Sequence, residues 1–382
     1  MTATSLSHVQ TTPLVLLGIG GVGRALIRQI VANRARHADD FGLSLDVRAV
    51  VDGGGAVIAQ GRRGLDDDVL LTLESHKAAG RTLAMLPEGH SAGDPLALIA
   101  DVDAQGLILV DCTASNATVA YLLDALTRGR DVVLANKLPL TVDLATWDAF
   151  AGRGSFQAAN RGRARWETTV GAAVPIIATL RRLLAAGDDV ARIEGTFSGS
   201  LNFLATELRA GKAFSAIVHD ARARGYTEPD PRTDLGGVDM ARKALILARM
   251  LGARIELADV AAEALYPEAM ATMDVEAFMA ATASLDAAFA RTLAEAHTMA
   301  KAEGGVWRYA AQVTPHGASV GPVVVPADSP LGLLRGTDNH VAFHTMWYAD
   351  SPLVLQGRGA GVDATASGVL SDIVELTTAP RG

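Results

Sequence analysis

A lysine and several carboxylates are concentrated between Glu228 and Lys243, in a stretch that is rich in proline and glycine. Apolar periodicity predicts a helix over residues 238–251, and Asp239 and Lys243, four residues apart, would share one face of it. Carboxylates and an amine around one small space suit a bare amino acid, because the carboxylates hold its ammonium group and the lysine reaches an oxygen. Taken singly, each acid would also fit an exposed ion pair or a surface loop.

A glycine-rich turn near the start of the chain predicts a dinucleotide site. We expect an apolar strand at residues 14–17, glycines spaced as G-x-G-x-x-G after it, and an amphipathic helix over residues 22–33. The glycines let a pyrophosphate approach, and the helix N-terminus offers N–H groups and a positive dipole end. NAD or NADP is therefore the expected cofactor. Its expected contacts at this turn are Gly18, Gly20, Gly21, Val22 and Gly23.

The choice between NAD and NADP depends on the end of the second predicted strand, residues 46–51. Asp52 follows this strand, and an acid there usually bonds the ribose hydroxyls of NAD and repels the 2′-phosphate of NADP. Asp52 would also fit an ordinary strand-end turn before the glycines at 53–55. Arg62 and Arg63 come soon after and could reach a 2′-phosphate, but the pattern as a whole favours NAD.

Two further buried strands, predicted at residues 106–111 and 131–135, end in small polar or basic residues. Thr113 and Ser115 follow the first strand, and Lys137 follows the second. Ligands of open α/β sheets gather at the carboxyl ends of the strands, so Thr113 and Ser115 are candidate cofactor contacts. By position alone, Lys137 fits a surface lysine equally well. The alternation of strands and helices predicts an α/β fold with a doubly wound, Rossmann-type parallel sheet.

The stretch from Ala221 to Lys243 resembles the signature of the homoserine dehydrogenases, A-x-x-x-G-Y-T-x-x-x-P-x-x-D-L-x-G-x-D-x-x-x-K. The resemblance extends over roughly residues 13–376. It implies reversible hydride transfer between NAD(P)H and L-aspartate 4-semialdehyde, which gives L-homoserine in the biosynthesis of threonine and methionine. Other family-like segments are N-K-x-P at 136–139, WETTVGAAVPII at 166–177, IEGTFSGSLNF at 193–203 and the glycine-rich segment that precedes the last helix.

The same resemblance implies roles for individual residues. Lys243 is implied to donate the proton to the aldehyde oxygen, and Asp234 to orient Lys243 or a water. Lys137 is implied to lie between nicotinamide and substrate, where it assists at the same oxygen or orients the nicotinamide. The residues implied to bind the substrate are Glu228, Asp239, Tyr226 and Ser200.

A cation site and a returning C-terminal helix are also implied by the resemblance. The family holds a monovalent cation such as sodium on hard oxygen ligands. The corresponding ligands here are the carboxylate of Glu167 and the carbonyls of Val170, Ala172 and Val174. Glu167 would equally fit a buried glutamate at a helix start. Gly361 is implied to lie close to the cofactor, although a plain glycine-rich turn would have the same sequence.

Length and composition limit the remaining possibilities. With 382 residues, 49% of them hydrophobic, the chain can form two domains. We expect a dinucleotide-binding domain at 1–150, completed by 350–382, and an α+β domain at 151–349 for substrate binding and dimerisation. The net charge of −8 argues against nucleic acid as a partner. No apolar run approaches the roughly 20 residues of a membrane span.

The expected setting is a homodimer in the cytoplasm. The single cysteine, Cys112, fits a reducing compartment, and the polar first residues lack the pattern of a signal peptide. We expect neither a kinase before the glycine turn nor a C-terminal amino-acid-sensing domain. Two other functions fit the sequence: a dehydrogenase for another small amino-acid alcohol or semialdehyde, and a non-catalytic NAD(P) sensor. A sensor has no need of the lysines at 137 and 243.

Overall fold

The apolar strand that precedes the glycine turn lies in the middle of a mainly parallel sheet. The computed structural model describes residues 9–90, 96–97, 102, 104–153, 162–299 and 304–379. Within them the strands of this sheet are β1 (Gln10–Leu17), β2 (Leu43–Asp52), β3 (Gly55–Ile58), β4 (Gly89–His90), β5 (Ile108–Asp111), β6 (Asp131–Leu134) and β7 (Ala164–Arg165). Their spatial order is β4-β3-β2-β1-β5-β6-β7.

The pairing of these strands confirms the doubly wound parallel sheet. β2, β1, β5, β6 and β7 run parallel to their neighbours. β3 instead folds back antiparallel on β2 across the glycines at 53–55, and β4 continues this edge. The sequence pattern does not predict this hairpin, because β3 has only four residues and carries no alternation of apolar and polar side chains.

The helices of this part of the chain supply its apolar core. They are α1 (Gly21–Ala32), α2 (Arg34–Phe41), α3 (Asp67–Ala78), α4 (Val119–Thr127), α5 (Leu144–Ala151) and the C-terminal helix (Val362–Thr378). Leu26 and Ile30 of α1 pack in one cluster with Leu14 of β1 and with Val369 and Ile373 of the C-terminal helix. Each such side chain contributes about 1.5–3 kcal/mol of transfer free energy when it is fully buried.

The chain divides into two units, Met1–Ala173 with Gly361–Gly382, and Val174–Ala360. The first unit ends later than the predicted residue 150, because β7 adds to its sheet and the N–H of Glu167 donates to Asp372 of the C-terminal helix. The return to the first unit also comes later than residue 350. The strand that precedes it, Leu353–Arg358, pairs within the sheet of the second unit.

The second unit is built on a mostly antiparallel sheet. Its strands are β8 (Val190–Thr196), β9 (Ala261–Ala262), β10 (Gly305–Thr314), β11 (Gly317–Pro326), β12 (Asp338–Thr345) and β13 (Leu353–Arg358). Their order is β13-β12-β8-β10-β11-β9, in which only the β9–β11 pair is parallel among the described strands. The apolar sequences at 307–313 and 319–325 predict two strands, which are confirmed as β10 and β11, each longer than the pattern predicts.

The helices of the second unit include the one predicted over residues 238–251. In chain order they are α6 (Ile176–Ala185), α7 (Gly199–Arg209), α8 (Phe214–Ala223), α9 (Arg232–Leu235), α10 (Val238–Met250), α11 (Val275–Ala281), α12 (Asp286–Met299) and α13 (Pro330–Leu333). The predicted helix is confirmed as α10, which packs on β10 and β11.

The alanine-rich sequence of residues 275–302 predicts one long helix, and this prediction is wrong within the part that the structure describes. A short 3-10 turn, Thr282–Leu285, separates α11 from α12. Asp286 begins α12, and its carboxylate accepts the N–H and the hydroxyl of Ser215, so a tertiary contact fixes the break. The end of the predicted helix lies outside the described residues. A search of the described helices finds none that is long and apolar enough to cross a membrane.

Candidate active site

The glycine turn of the first unit is closed towards the sheet and open at one residue. Gly18 has φ +85°, and a Cβ there would lie 2.8 Å from backbone atoms of Cys112 and Thr113. A Cβ on Gly23 would collide with the carbonyl oxygen of Gly18. A Cβ on Gly20 would meet nothing within 4 Å. Gly18 and Gly23 are therefore required by packing, whereas Gly20 borders space that a ligand can fill.

The N-terminus of α1 presents its first N–H groups beside this open space. Gly20 is the N-cap of α1, no side chain caps it, and the first turn contains no acidic residue. Such a helix end favours an anion, because unsatisfied N–H groups and the helix dipole point to it. Gly21 and Val22 belong to this first turn. These features are the ones that a pyrophosphate cradle requires, and the cradle itself stays a prediction.

The C-terminal helix begins next to the same turn. A Cβ on Gly21 would lie 2.8 Å from Cγ1 of Val362, the first residue of that helix. Gly361 is the N-cap residue of the C-terminal helix, with φ +122°, a conformation that favours glycine. The expectation that Gly361 lies near the cofactor stays a prediction, but the structure brings its neighbour into contact with the glycine turn.

A buried carboxylate ties together the loops that follow β5 and β6. Asp111 is fully buried at the end of β5 and accepts hydrogen bonds from the N–H of Thr113 (2.9 Å), the hydroxyl of Thr118 (2.7 Å) and the side-chain amide of Asn136 (3.0 Å). Asn136 follows β6, so one network fixes the carboxyl ends of two neighbouring strands. Sequence reasoning missed this role of Asp111 and Asn136; the only signal was their position at strand ends.

The same network positions the predicted cofactor contacts of this region. The amide of Asn136 also donates to the hydroxyl of Thr113 (3.2 Å) and to the carbonyl of Ser115 (2.8 Å). The hydroxyl of Ser115 accepts the N–H of Ala117 (3.1 Å) and so caps a 3-10 turn. Lys137 is half-buried directly after Asn136, where it precedes the 3-10 helix Leu138–Thr141. The role implied for Lys137, to assist at the substrate oxygen or to orient the nicotinamide, stays a prediction.

Asp52 lies beside the glycine turn, but its carboxylate is already engaged. The N–H of Gly18 donates to the carbonyl of Val51 at 2.7 Å, which places the end of β2 next to the turn. One carboxylate oxygen of Asp52 accepts the N–H of Gly54 (2.8 Å), and the other pairs with Nζ of Lys77 (2.5 Å). Lys77 is another residue that sequence reasoning missed, since it reaches Asp52 only through the packing of α3.

The two arginines considered for a 2′-phosphate lie elsewhere along β2. The loop that carries Arg62 and Arg63 lies beside the middle of β2. The N–H of Leu65 donates to the carbonyl of Val47 (2.8 Å), and the guanidinium of Arg48 donates to the carbonyl of Arg62. Arg48 and Asp52 are four positions apart in β2, which is about 13 Å at the usual rise of an extended strand. Lys77 is therefore the cation that the structure pairs with Asp52.

In the second unit, Lys243 is held by two oxygens. Its Nζ donates to the carbonyl of Phe197 at 2.7 Å and pairs with Oδ2 of Asp239 at 2.7 Å. Phe197 follows β8, so the lysine reaches from α10 to the carboxyl end of that strand. The side chain of Lys243 is 15% exposed, so most of it is buried.

Asp234 organises a second set of polar groups in the same signature stretch. Its carboxylate accepts the hydroxyl of Ser200 (2.8 Å) and the N–H of Glu228 (2.9 Å). Burial raises the pKa of Asp234, and the negative charges of Glu228 and Asp239 raise it further against these two hydrogen bonds. Asp239, which shares one face of α10 with Lys243, is the carboxylate that pairs with the lysine. The role implied for Asp234, to orient Lys243 or a water, stays a prediction.

A glycine lets α10 begin close to the sheet. Gly237 is the N-cap of α10 with φ +71°, and a Cβ there would collide with the hydroxyl of Tyr309 on β10. That hydroxyl donates to the carbonyl of Glu263 at 2.7 Å. Only glycine fits both the left-handed conformation and this close approach. The spacing of the signature, with a glycine two residues before Asp239, is therefore a requirement of packing.

The remaining predicted substrate residues lie at the surface of this stretch. Tyr226 is 43% exposed and packs edge-on against Phe203, with ring centroids 5.0 Å apart. Glu228 is exposed, and its backbone N–H is the group that Asp234 holds. Between them, Oγ1 of Thr227 is buried and has no hydrogen-bond partner among the described residues. A bound polar ligand would satisfy it. Thr227 belongs to the family signature, but it is not among the residues predicted to bind the substrate.

The predicted cation ligands belong partly to each unit. Glu167, Val170 and Ala172 are in the first unit, and Val174 is the first residue of the second. Glu167 is buried, and Ala172 has φ +56°, which is rare for a residue with a Cβ. A buried carboxylate and backbone carbonyls are the hard oxygen ligands that a monovalent cation requires. The site itself stays a prediction.

Family models and known relatives agree on what this chain resembles. The model described as homoserine dehydrogenase matches residues 175–374, and that described as homoserine dehydrogenase, NAD binding domain, matches residues 18–166. The chain belongs to the homoserine dehydrogenase family. The homoserine dehydrogenase of Emericella nidulans is 36% identical over 315 residues, which are 78% of this chain and 83% of that protein.

Other relatives of the homoserine dehydrogenase family extend this match. A bifunctional aspartokinase/homoserine dehydrogenase of Zea mays is 35% identical over 96% of this chain and 39% of its own length. The chain thus spans about two fifths of the length of this curated relative. A hyperthermophilic archaeal homoserine dehydrogenase in complex with NADPH superposes with a TM-score of 0.73 at 26% identity, covering 96% of this chain and 98% of that structure.

These matches confirm the resemblance to the homoserine dehydrogenases and the NAD(P)-type cofactor of the first unit. The family signature is not spread over the fold. In the second unit it comprises the Asp234 cluster and, after the start of α10, the Asp239–Lys243 pair. In the first unit the glycine turn and the Asp111 network lie at the carboxyl ends of β1, β5 and β6.

Proposed function

We propose that this chain catalyses reversible hydride transfer between NAD(P)H and L-aspartate 4-semialdehyde, giving L-homoserine for threonine and methionine biosynthesis. The observation that carries the proposal is the state of Lys243, a nearly buried ammonium held by Asp239 and the carbonyl of Phe197 within the family signature. A relative that this chain covers to 83% of its length has the name homoserine dehydrogenase.

The first unit would hold the cofactor. The nicotinamide, when bound, supplies or accepts the hydride. The open side of the turn at Gly20 and the first N–H groups of α1 would bind the pyrophosphate, with Gly18, Gly21, Val22 and Gly23 shaping the cradle. Thr113, Ser115 and Gly361 would add contacts, and Lys137 would orient the nicotinamide. The Asp111 network would keep these loops in place before the cofactor arrives.

Lys243 would move the proton. The carbonyl oxygen of the semialdehyde gains negative charge as the hydride arrives, and an ammonium beside it stabilises that charge and donates a proton. An ammonium has three N–H donors. Asp239 and the carbonyl of Phe197 engage two of them, so the third is the one that we assign to the substrate oxygen. In the reverse direction the neutral amine would accept the proton from the hydroxyl of homoserine.

The carboxylates of the signature would bind the amino-acid end of the substrate. Glu228 and Asp239 would hold its ammonium group, and Tyr226 and Ser200 would complete the pocket. Asp234 would act indirectly, because its carboxylate already holds the hydroxyl of Ser200 and the N–H of Glu228. It would also fix a water beside them. Of the two roles expected for Asp234, to orient Lys243 or a water, this proposal keeps the second.

Several accompanying properties rest on the family resemblance and are proposed with it. They are a homodimer assembled through the second unit, a location in the cytoplasm, and a sodium-like cation on Glu167, Val170, Ala172 and Val174. Light scattering of the purified protein would test the dimer. Activity measured in sodium and in a large organic cation at equal ionic strength would test the cation.

The function is tested by following nicotinamide reduction with L-homoserine at alkaline pH, with NAD⁺ and NADP⁺ in parallel. We expect turnover with L-homoserine and at least tenfold lower kcat/KM with L-serine or L-threonine, because a site built for one chain length discriminates by about a factor of ten per methylene. Turnover only with another amino-acid alcohol would indicate a different dehydrogenase. Cofactor binding without any turnover would indicate a sensor.

A further inference from the structure

The helical turn that carries Asp234 is too short to keep its shape alone. α9 comprises only four residues, Arg232–Leu235, and one turn fixes several backbone dihedral angles in exchange for few hydrogen bonds. The carboxylate of Asp234 nevertheless holds two groups of the proposed substrate pocket, the hydroxyl of Ser200 and the N–H of Glu228. Tertiary contacts must therefore fix α9, and an arginine at a position that the family signature leaves open supplies most of them.

The guanidinium of Arg232 makes contacts in three directions. It forms a two-pronged pair with the carboxylate of Asp230, in which Nε–Oδ1 is 2.9 Å and Nη2–Oδ2 is 2.7 Å. Its Nη1 donates to the carbonyl of Ala271 at 2.9 Å and also to the carbonyl of Met273. Its Cζ lies over the ring of Phe278, 5.4 Å from the centroid. Arg232 thus ties α9 to a segment 39 to 41 residues later in the chain.

The other end of α9 is held against the same part of the second unit. The N–H of Leu265 donates to the carbonyl of Leu235 at 2.9 Å. A Cβ on Gly236 would lie 3.1 Å from the hydroxyl of Tyr266. The side chain of Arg232 is 14% exposed, and a planar, two-pronged contact of a mostly buried guanidinium fixes direction as well as distance. The orientation of α9 therefore depends on Arg232 at its start and on backbone contacts at its end.

We propose that Arg232 is a positioning residue of the substrate pocket, which sets the orientation of α9 and thereby the places of Asp234 and Glu228. The inference rests on the proposed function, because it concerns the groups that would bind the amino-acid end of the substrate. Glu228 is exposed and is held by the bond from its N–H to Asp234, so a shift of α9 would move it. Lys243 is held separately by Asp239 and a carbonyl after β8.

A positioning role and a purely structural role of Arg232 predict different kinetics. Loss of stability alone reduces the fraction of folded protein, which lowers the apparent kcat and leaves KM unchanged. Displacement of the groups that bind the substrate ammonium raises KM. Arg209 is the matched control, because it lies at the end of α7 in the same unit and its Nη1 donates to the distant carbonyl of Gly332 at 2.7 Å.

The test compares the wild type, Arg232→Met and Arg209→Met by turnover of L-homoserine, NADPH fluorescence and urea unfolding. We expect Arg232→Met to raise the KM for L-homoserine by about tenfold or more, because a charge-assisted contact to the substrate is lost. Its NADPH affinity should stay within about twofold of the wild type, since the proposed cofactor residues belong to the other unit. Arg209→Met should lower stability and leave KM within about twofold of the wild type.

Arg232→Lys keeps the test decisive if Arg232→Met does not fold. Lysine retains the charge but not the two-pronged geometry, so its KM for L-homoserine should rise by about threefold or more. An unchanged KM in the folded Arg232 variants, or an equal rise in Arg209→Met, would overturn the inference alone. Absence of turnover by the wild type would instead refute the proposed function, and the inference with it.

Discussion

Lys243 and Asp239 form an ion pair one helical turn apart on α10, with Nζ and Oδ2 separated by 2.7 Å. The carbonyl of Phe197 accepts another N–H of the same ammonium at 2.7 Å. The lysine is thereby aimed by one charged and one neutral oxygen. Within the family signature, Asp239 therefore holds the proposed proton donor, Lys243, in place.

Replacement of Asp239 is expected to reduce turnover more than stability. Asp239→Asn should lower kcat with L-homoserine by about tenfold or more, because the ammonium of Lys243 loses its charged partner. The free energy of unfolding should change by less than about 1 kcal/mol, since Asp239 is 41% exposed. Glu276→Gln is the control, because Glu276 also pairs with an arginine at the surface of the second unit. Equal losses of kcat in both variants would contradict the account.

The glycines of the turn should separate folding from cofactor binding. In Gly23→Ala the new Cβ would collide with the carbonyl of Gly18, so the first unit should be destabilised by about 1–3 kcal/mol. In Gly20→Ala the Cβ meets only open space, and φ is −72°, so the protein should fold normally. It should nevertheless bind NADPH more weakly, because the Cβ occupies the cradle. Thermal unfolding and nucleotide fluorescence would measure both, and tight NADPH binding by Gly20→Ala would argue against the cradle.

The Asp111 network should be necessary for the shape of the cofactor loops. Asn136→Ala leaves a fully buried carboxylate with one donor fewer, which should cost about 1–3 kcal/mol of stability. It should also weaken NADPH, since the carbonyl of Ser115 and the hydroxyl of Thr113 lose their donor. Asn116→Ala, at an exposed residue of the same loop, is the matched control and should be close to neutral. Similar effects of the two variants in urea unfolding would refute this role.

More of the fold than of the site could be predicted from the sequence. The strand, glycine turn and helix were predictable because they are local: Gly18 and Gly23 are required by contacts within a few residues or with the adjacent strand. α10 was predictable from its apolar periodicity. The hairpin edge and the break before Asp286 were not, because a four-residue strand carries no pattern and the break depends on Ser215, far away in sequence.

The site shows the same limit more sharply. Residue types in the signature indicate which groups take part, but not which carboxylate holds which partner. The i,i+4 spacing favours Asp239 as the partner of Lys243, but no spacing indicates that Asp234 accepts the hydroxyl of Ser200 and the N–H of Glu228. Lys77 approaches Asp52 through the packing of α3 on α1, so no spacing rule could select it. Long-range pairing of this kind requires coordinates.

Acidification should destabilise the second unit through a buried histidine. His340 on β12 is buried, and burial lowers its pKa below the ordinary value of 6.5, although the charge of Glu194 opposes this. The unfolded chain then binds the proton more readily, so the contribution of His340 to stability is complete above about pH 6.5 and decreases as the pH falls. His340→Gln should flatten this decrease in urea unfolding between about pH 7 and 5. An unchanged slope would exclude His340 as its source.

The central claim is that Lys243 donates the proton. The decisive measurement is the turnover of L-homoserine by Lys243→Ala, together with its affinity for NADPH. The account predicts that kcat falls by about a hundredfold or more, as expected for loss of a general acid, while NADPH affinity stays within about twofold of the wild type. Turnover near the wild-type rate would remove Lys243 from the mechanism.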